Sequence, residues 1–268
     1  MSERGETGAA GTVRFRGGGF EPAGRRWASW LALAAIVALW QAASSLGLLS
    51  PVAMPSPLAV LHALQDLAVS GKLWTHLGQS LGRIGLGWLI GTTAGLAVGL
   101  AMGIFSVARA IGIPVTAALF PIPKIALLPL FILWFGIGES SKVATIALGV
   151  FFPTVISAYS AVDNVPRNLI RMGQSFGLPA ASIVAKIILP GAMPGILAGF
   201  RISSSIALIL VVAAEMIGAE YGIGAFILAA GNLMQTDQLV AGVVVLSLLG
   251  LAISVVLGRI ERRVLRWR

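Results

Sequence analysis

Residues 239–258 read LVAGVVVLSLLGLAISVVLG, a run without a single charged side chain. As a helix rising 1.5 Å per residue, a run of that length crosses about 30 Å of hydrocarbon. A water-soluble core would have to cover it on every side, whereas lipid accepts it directly. Comparable runs occupy residues 27–46, 81–105, 111–135, 143–162 and 195–217. Composition agrees: 57% of the 268 residues are hydrophobic and 11% are charged, where a soluble domain carries about 25% charged residues. The fold class expected is an all-α integral membrane protein with about six transmembrane helices. The first run is too long for the apolar part of a cleaved signal peptide and reads as a retained helix.

The formal net charge of +9 has a distribution that argues for membrane orientation rather than nucleic-acid binding, since no patch interleaves aromatic and basic residues. Arg4, Arg14, Arg16, Arg25 and Arg26 precede the first run, and Arg259, Arg262, Arg263, Arg266 and Arg268 follow the last. Arg109, Arg167, Arg171 and Lys186 fall in loops on that same side. The opposite side keeps only Lys72, Arg83 and Lys142, while Lys124 and Arg201 lie within or near spans. Positive loops stay cytoplasmic, so both termini are expected there. Three regions follow: a disordered, Gly- and Arg-rich cytoplasmic tail over residues 1–26, a transmembrane domain over 27–258, and a basic cytoplasmic C-terminus over 259–268. The chain contains no cysteine, which excludes disulfides and thiolate-bound metals.

Within the apolar chain, residues 166–190 stand out. Asp163 or Asn164 can cap a helix that starts near Pro166. In RNLIRMGQSFG, Leu169, Met172 and Phe176 fall near one face, with Arg167, Arg171 and Gln174 toward the other. Gly177 suits a left-handed helix end. Pro179 can open a second short helix, which Pro190 is expected to end. The exposed apolar face needs a cover, either membrane and neighbouring helices or a soluble partner. A second pattern is glycine at every fourth position, Gly87, Gly91, Gly95, Gly99 and Gly103. Such a stripe permits close helix approach, within the chain or against another subunit.

Candidate pathway residues are Lys124, Glu215 and Ser204. Lys124 follows Pro121 and Pro123, which interrupt helical hydrogen bonding, and a Lys within a span faces protein or water. It either pairs with a carboxylate, Glu215 being the candidate, or favours an anionic substrate. Arg201 suits phosphate headgroups. Ser203, Ser204 and Ser205 either line a path or bond to their own helix. His62 and His76 read as surface residues, without metal-ligand spacing. Leu58, Leu61, Leu64 and Leu67 suggest a short interfacial helix. No Ser-His-Asp set or carboxylate pair supports hydrolysis.

The stretch GLPAASIVAKIILP, residues 177–190, resembles the cytoplasmic signature of ABC importer permeases, EAA-x3-G-x9-I-x-L-P. Gly177, Ile187, Leu189 and Pro190 match; Arg171, Met172 and Gly173 stand at the EAA positions. PSPLAVLHAL, KIALLPLFILWFGIGESSKVA, FFPTVISAYSAV, LPGAMPGILAGFR and AAEMIGAEYGIG, in that order, are similar to the nitrate, sulfonate and taurine branch. The resemblance implies a homodimeric permease in a bacterial inner membrane, not itself an enzyme. It implies coupling to two separate ATP-binding subunits, which hold ATP and Mg, and a separate substrate-binding protein. The coupling residues it implies are Arg167, Arg171, Met172, Gly173, Phe176, Gly177, Ile187, Leu189 and Pro190. The chain lacks the GxxxxGK[ST] phosphate loop. The expected cargo is a small oxyanion; a pyrimidine precursor, or a stand-alone channel or membrane enzyme, are the alternatives.

Overall fold

The computed structural model describes residues 26–267, and every secondary-structure element among them is helical. The elements are α1 (Arg26–Ser45), α2 (Pro57–Val69), α3 (Lys72–Ile104), α4 (Ser106–Leu119), α5 (Leu128–Phe135) and α6 (Glu139–Asp163). They continue with α7 (Arg167–Ser175), α8 (Ala180–Ile183), α9 (Leu189–Gly218), α10 (Ile223–Asn232) and α11 (Thr236–Val264). The tail expected over residues 1–26 lies outside the described residues apart from Arg26, which begins α1. α11 carries straight on through Arg259 to Val264.

Among the described residues, four helices are long and apolar enough to cross a membrane: α3, α6, the continuous stretch Ala180–Gly218, and α11. A fifth candidate is α4 together with Lys124–Phe135, bent by 86° at the break. The expectation of about six also counts α1, whose 20 residues match the hydrocarbon thickness in length. The bend follows from sequence. Pro121 and Pro123 cannot donate backbone hydrogen bonds, so the helix stops after Leu119 and restarts as a 3-10 turn at Lys124–Leu127.

The centre of the bundle is α3 on α6 on α9. Along α3, added Cβ atoms at Gly87, Gly91, Gly95, Gly99 and Gly103 would each meet α6 atoms closer than 3.0 Å. The stripe therefore packs within the chain, backbone against backbone. Below it Ile84, Ile146, Val150, Ala207, Leu210, Val211 and Leu249 join α3, α6, α9 and α11 in one core cluster. α2 lies against α11 through Val60, Ala63, Leu67 and Ala241. Its buried face is thus Val60–Ala63–Leu67, while Leu58 and Leu61 point outward.

Pro190 does not end a helix. Val184–Ile188 forms a π turn, with Leu189 N–H bonded to the Val184 carbonyl, and α9 runs on through Pro190. A π turn widens the helix by one residue, which relieves a proline that can neither donate nor tolerate the carbonyl four residues back.

Candidate functional site: the Arg167–Pro190 segment and the ion cluster at the opposite end

The α7–α8 elbow stands at the end of the bundle where α3 and α6 finish and α9 begins. α7 opens after Pro166 without a side-chain cap, so neither Asp163 nor Asn164 performs the capping role the sequence suggested. Asp163 pairs instead with Arg109 of α4. At the other end of α7, Gly177 adopts φ +70°. Leu178 N–H bonds to the Gly173 carbonyl at 3.1 Å and Gly177 N–H to the Gln174 carbonyl at 2.9 Å. That pair of bonds is the Schellman closure, which places glycine where a side chain would strain the backbone. Gly173 is buried; a Cβ there would lie 2.9 Å from Ile187 Cδ1. Ile183, Ile188, Val165 and Ile196 continue this packing and fix the elbow to α6 and α9.

α7 has two different faces. Leu169, Met172 (52% exposed) and Phe176 (78% exposed) form an uncovered apolar surface. Arg167, Ile170, Arg171 and Gln174, three and four residues apart, line a cavity of about 410 Å³ on the other side. The nine implied coupling residues thus divide. Met172 and Phe176 are presented outward, Gly173, Gly177 and Ile187 shape the elbow, and Leu189 and Pro190 lie in α9. The two arginines face back toward the spans.

At the other end of α6 lies a charged cluster that sequence reasoning dispersed. Arg83, expected on the surface, is 3% exposed. Its Nε and Nη2 donate to the two carboxylate oxygens of Glu139 at 2.6 and 2.7 Å. Its Nη1 donates to Glu215 Oε1 at 2.7 Å and to the Tyr221 carbonyl at 2.6 Å. Glu215 also accepts from Ser80 Oγ at 2.8 Å and from Gly224 N–H at 2.8 Å. A buried carboxylate is tolerated when paired and fully hydrogen-bonded, as this one is. Gly222 is required beside it, since a Cβ there would fall 2.3 Å from the carboxylate carbon. His76 is no bare surface residue either: Nδ1 lies within 3.1 Å of the Gly222 backbone. Lys142, also expected on the surface, is buried and donates to the Gly138 carbonyl at 2.9 Å.

Glu215 is therefore Arg83's partner and not that of Lys124. Lys124 Nζ instead donates to the carbonyls of Leu119, Phe120 and Ile122 at 2.8, 3.0 and 2.7 Å. These are the orphan carbonyls at the broken end of α4, and all three ammonium protons are engaged. The ammonium also sits 4.7 Å from the Phe152 ring centroid. Arg201 pairs with Glu261 of α11 rather than standing free for headgroups. Ser204 bonds to the Arg201 carbonyl at 2.8 Å and borders an apolar cavity of about 430 Å³ beside Trp88. Ser203 accepts from Trp88 Nε1 at 3.2 Å.

The helical bundle with its protruding elbow has counterparts among solved structures. It matches a chain of the inward-facing MetNI methionine ABC transporter with a TM-score of 0.61, covering 73% of this chain and 95% of that one at 22% identity. A chain of an amino acid ABC transporter crystallised with histidines gives 0.62, covering 75% and 97% at 15% identity. Residues 91–266 match the family described as binding-protein-dependent transport system inner membrane component. The chain belongs to that family. It is 37% identical to the taurine transport system permease protein TauC of Escherichia coli K12, over 88% of this chain and 87% of that one. It is 39% identical to the aliphatic sulfonates transport permease protein SsuC of the same organism, over 90% and 92%. The SsuC of Bacillus subtilis 168 is 35% identical over 90% and 88%.

Proposed function

We propose that the chain forms the membrane pathway of an importer for taurine or another small aliphatic sulfonate. Two copies enclose the path, and two separate ATP-binding subunits hold the ATP and Mg. A separate binding protein delivers cargo at the Arg83–Glu215 end, and the elbow end faces the cytoplasm together with both termini. The family match and three relatives between 35% and 39% identical, all named for taurine or sulfonates, support this cargo in preference to nitrate or a pyrimidine precursor. The observation that carries the coupling role is the exposed Leu169–Met172–Phe176 face on a helix whose two ends are packed into the bundle through Val165 and Ile183. An apolar face at the water side of a membrane protein calls for a docked partner. Gly177 lets the chain turn sharply enough for that face to protrude.

The test is uptake of radiolabelled taurine by the complete complex in proteoliposomes. Met172→Glu with Phe176→Glu is expected to lower ATP-driven uptake by at least about tenfold, the effect of losing roughly 1.4 kcal/mol of docking. The variant permease should still be inserted and thermally stable. Uptake at the wild-type rate from that variant overturns the coupling assignment. A cognate binding protein that holds neither taurine nor alkylsulfonates overturns the cargo.

A further inference from the structure

The cavity behind α7 is unlike the rest of the membrane domain. Its rim carries Arg109, Arg167 and Arg171 with Gln174, against one carboxylate, Asp163. Three cations and one anion leave a surplus of two positive charges. Arg167 and Arg171 make no ion pair among the described residues. Arg109 is paired through Nη2 with Asp163, but its Nε is buried with no hydrogen-bond partner. The guanidinium lies over the Tyr159 ring, 5.0 Å from its centroid. The N-terminus of α7 adds to this. It has no side-chain cap and no acidic residue in its first turn, and Arg167 stands there. A helix N-terminus attracts an anion, so the uncapped end of α7 adds to the positive field of the three arginines.

The floor of the cavity is apolar, formed by Val165 and Ile188 among others. The position is where α3 ends at Ile104, α4 begins at Ser106 and α6 ends at Asp163. α3 and α6 are both long and apolar enough to cross a membrane, so their shared end is where a bilayer's headgroups would meet the protein. Guanidinium groups match phosphate oxygens in pairs.

We propose that this cavity binds a phosphate group, held by Arg109 from α4 and by Arg167 and Arg171 from α7. The phosphate belongs to an anionic lipid headgroup or to a soluble phosphate. A bound phosphate ties the elbow to the span ends, leaving the apolar face of α7 free. The site does not depend on which cargo the importer carries.

The experiment uses the full-length chain in complex with its ATP-binding subunits. Lipid retention is read by native mass spectrometry after reconstitution in equal phosphatidylglycerol and phosphatidylcholine. The wild type is expected to retain phosphatidylglycerol at least about tenfold over phosphatidylcholine, and Arg167→Gln with Arg171→Gln to remove that preference. Arg262→Gln with Arg263→Gln, on α11, should leave it unchanged. A second arm uses lipid of phosphatidylcholine alone and adds inorganic phosphate, with chloride as the ionic-strength control. A melting-temperature rise specific to phosphate, lost in the same double variant, assigns the soluble source. Should the double variant fail to assemble, Asp163→Asn reads the site in the opposite direction. It frees Arg109 and is expected to raise phosphate affinity. The proposal is overturned if neither phosphatidylglycerol retention nor the phosphate response changes in Arg167→Gln with Arg171→Gln or in Asp163→Asn.

Discussion

A methyl group placed on Gly91 would stand 2.2 Å from the Ala147 carbonyl oxygen and 2.4 Å from Val150 Cγ2. The first contact is backbone and cannot yield by changing rotamer. Gly91→Val is therefore expected to cost about 3 kcal/mol or more, the upper range for overpacking, and to lower the melting temperature in detergent. Gly78 lies on the same helix with nothing within 4 Å of an added Cβ. Gly78→Ala is expected to be neutral or to stabilise by about 0.5–1 kcal/mol, the helix-propensity gain. The four-residue spacing of the stripe was legible in the sequence because it is local. The charge pairing was not. Arg83 and Glu215 are 132 positions apart, and Arg83 looked like one more loop cation. Only the packing of α3 against α9 brings them together. Arg83→Met strands the buried Glu215 carboxylate and should cost about 3–5 kcal/mol. Arg83→Met with Glu215→Gln should recover part of that loss, measured as a double-mutant cycle on thermal unfolding. A loss in the double variant equal to the sum of the Arg83→Met and Glu215→Gln losses would show that the pair is not coupled. Glu139→Gln is expected to matter far less, because its side chain is 58% exposed.

The break between α4 and α5 has its own logic among the elements. Prolines end α4 and leave carbonyls without donors; Lys124 folds back and supplies three. In this arrangement all three Lys124 protons are held by backbone carbonyls, and a test of substrate contact separates an anchoring from a pathway role. Lys124→Met is expected to lower thermal stability by about 1 kcal/mol, because three backbone carbonyls at the end of α4 lose their donor. The KM for cargo should change by less than about twofold, since binding energy to an anion would not be lost. A KM rise of tenfold or more, with kcat preserved, would return Lys124 to the substrate path. Sequence signalled this break through Pro121 and Pro123 but not the π turn before Pro190. There the proline looked like a stop, and only continuous packing of residues 180–218 against α6 shows why the helix persists. α10 was missed for a similar reason. Its ten residues are too short for a span. Gly222 and Gly224 at its start let the chain pass beside Glu215.

For the whole molecule, the testable quantity is orientation. The proposed orientation, argued from the arginine and lysine distribution, has the α7 elbow with the termini on the cytoplasmic side. Because the chain has no cysteine, single replacements report topology without background. Val52→Cys, at an exposed site between α1 and α2, is expected to react with a membrane-impermeant maleimide on intact spheroplasts. Ser175→Cys, exposed in the elbow, should react only after permeabilisation. The reverse pattern would invert the molecule and remove the coupling role with it.

The interlocked backbones of α3 and α6 limit how the protein can change shape. Five notches along one rod receive the opposite rod's ridges, and a salt-bridged rivet joins both to α9 near one rim. Rods keyed in this way cannot slip lengthwise by a fraction of a turn; they can only tilt together as a slab. Whatever swings during a transport cycle must then pivot elsewhere, and the 86° knee after α4 is where the chain is already jointed.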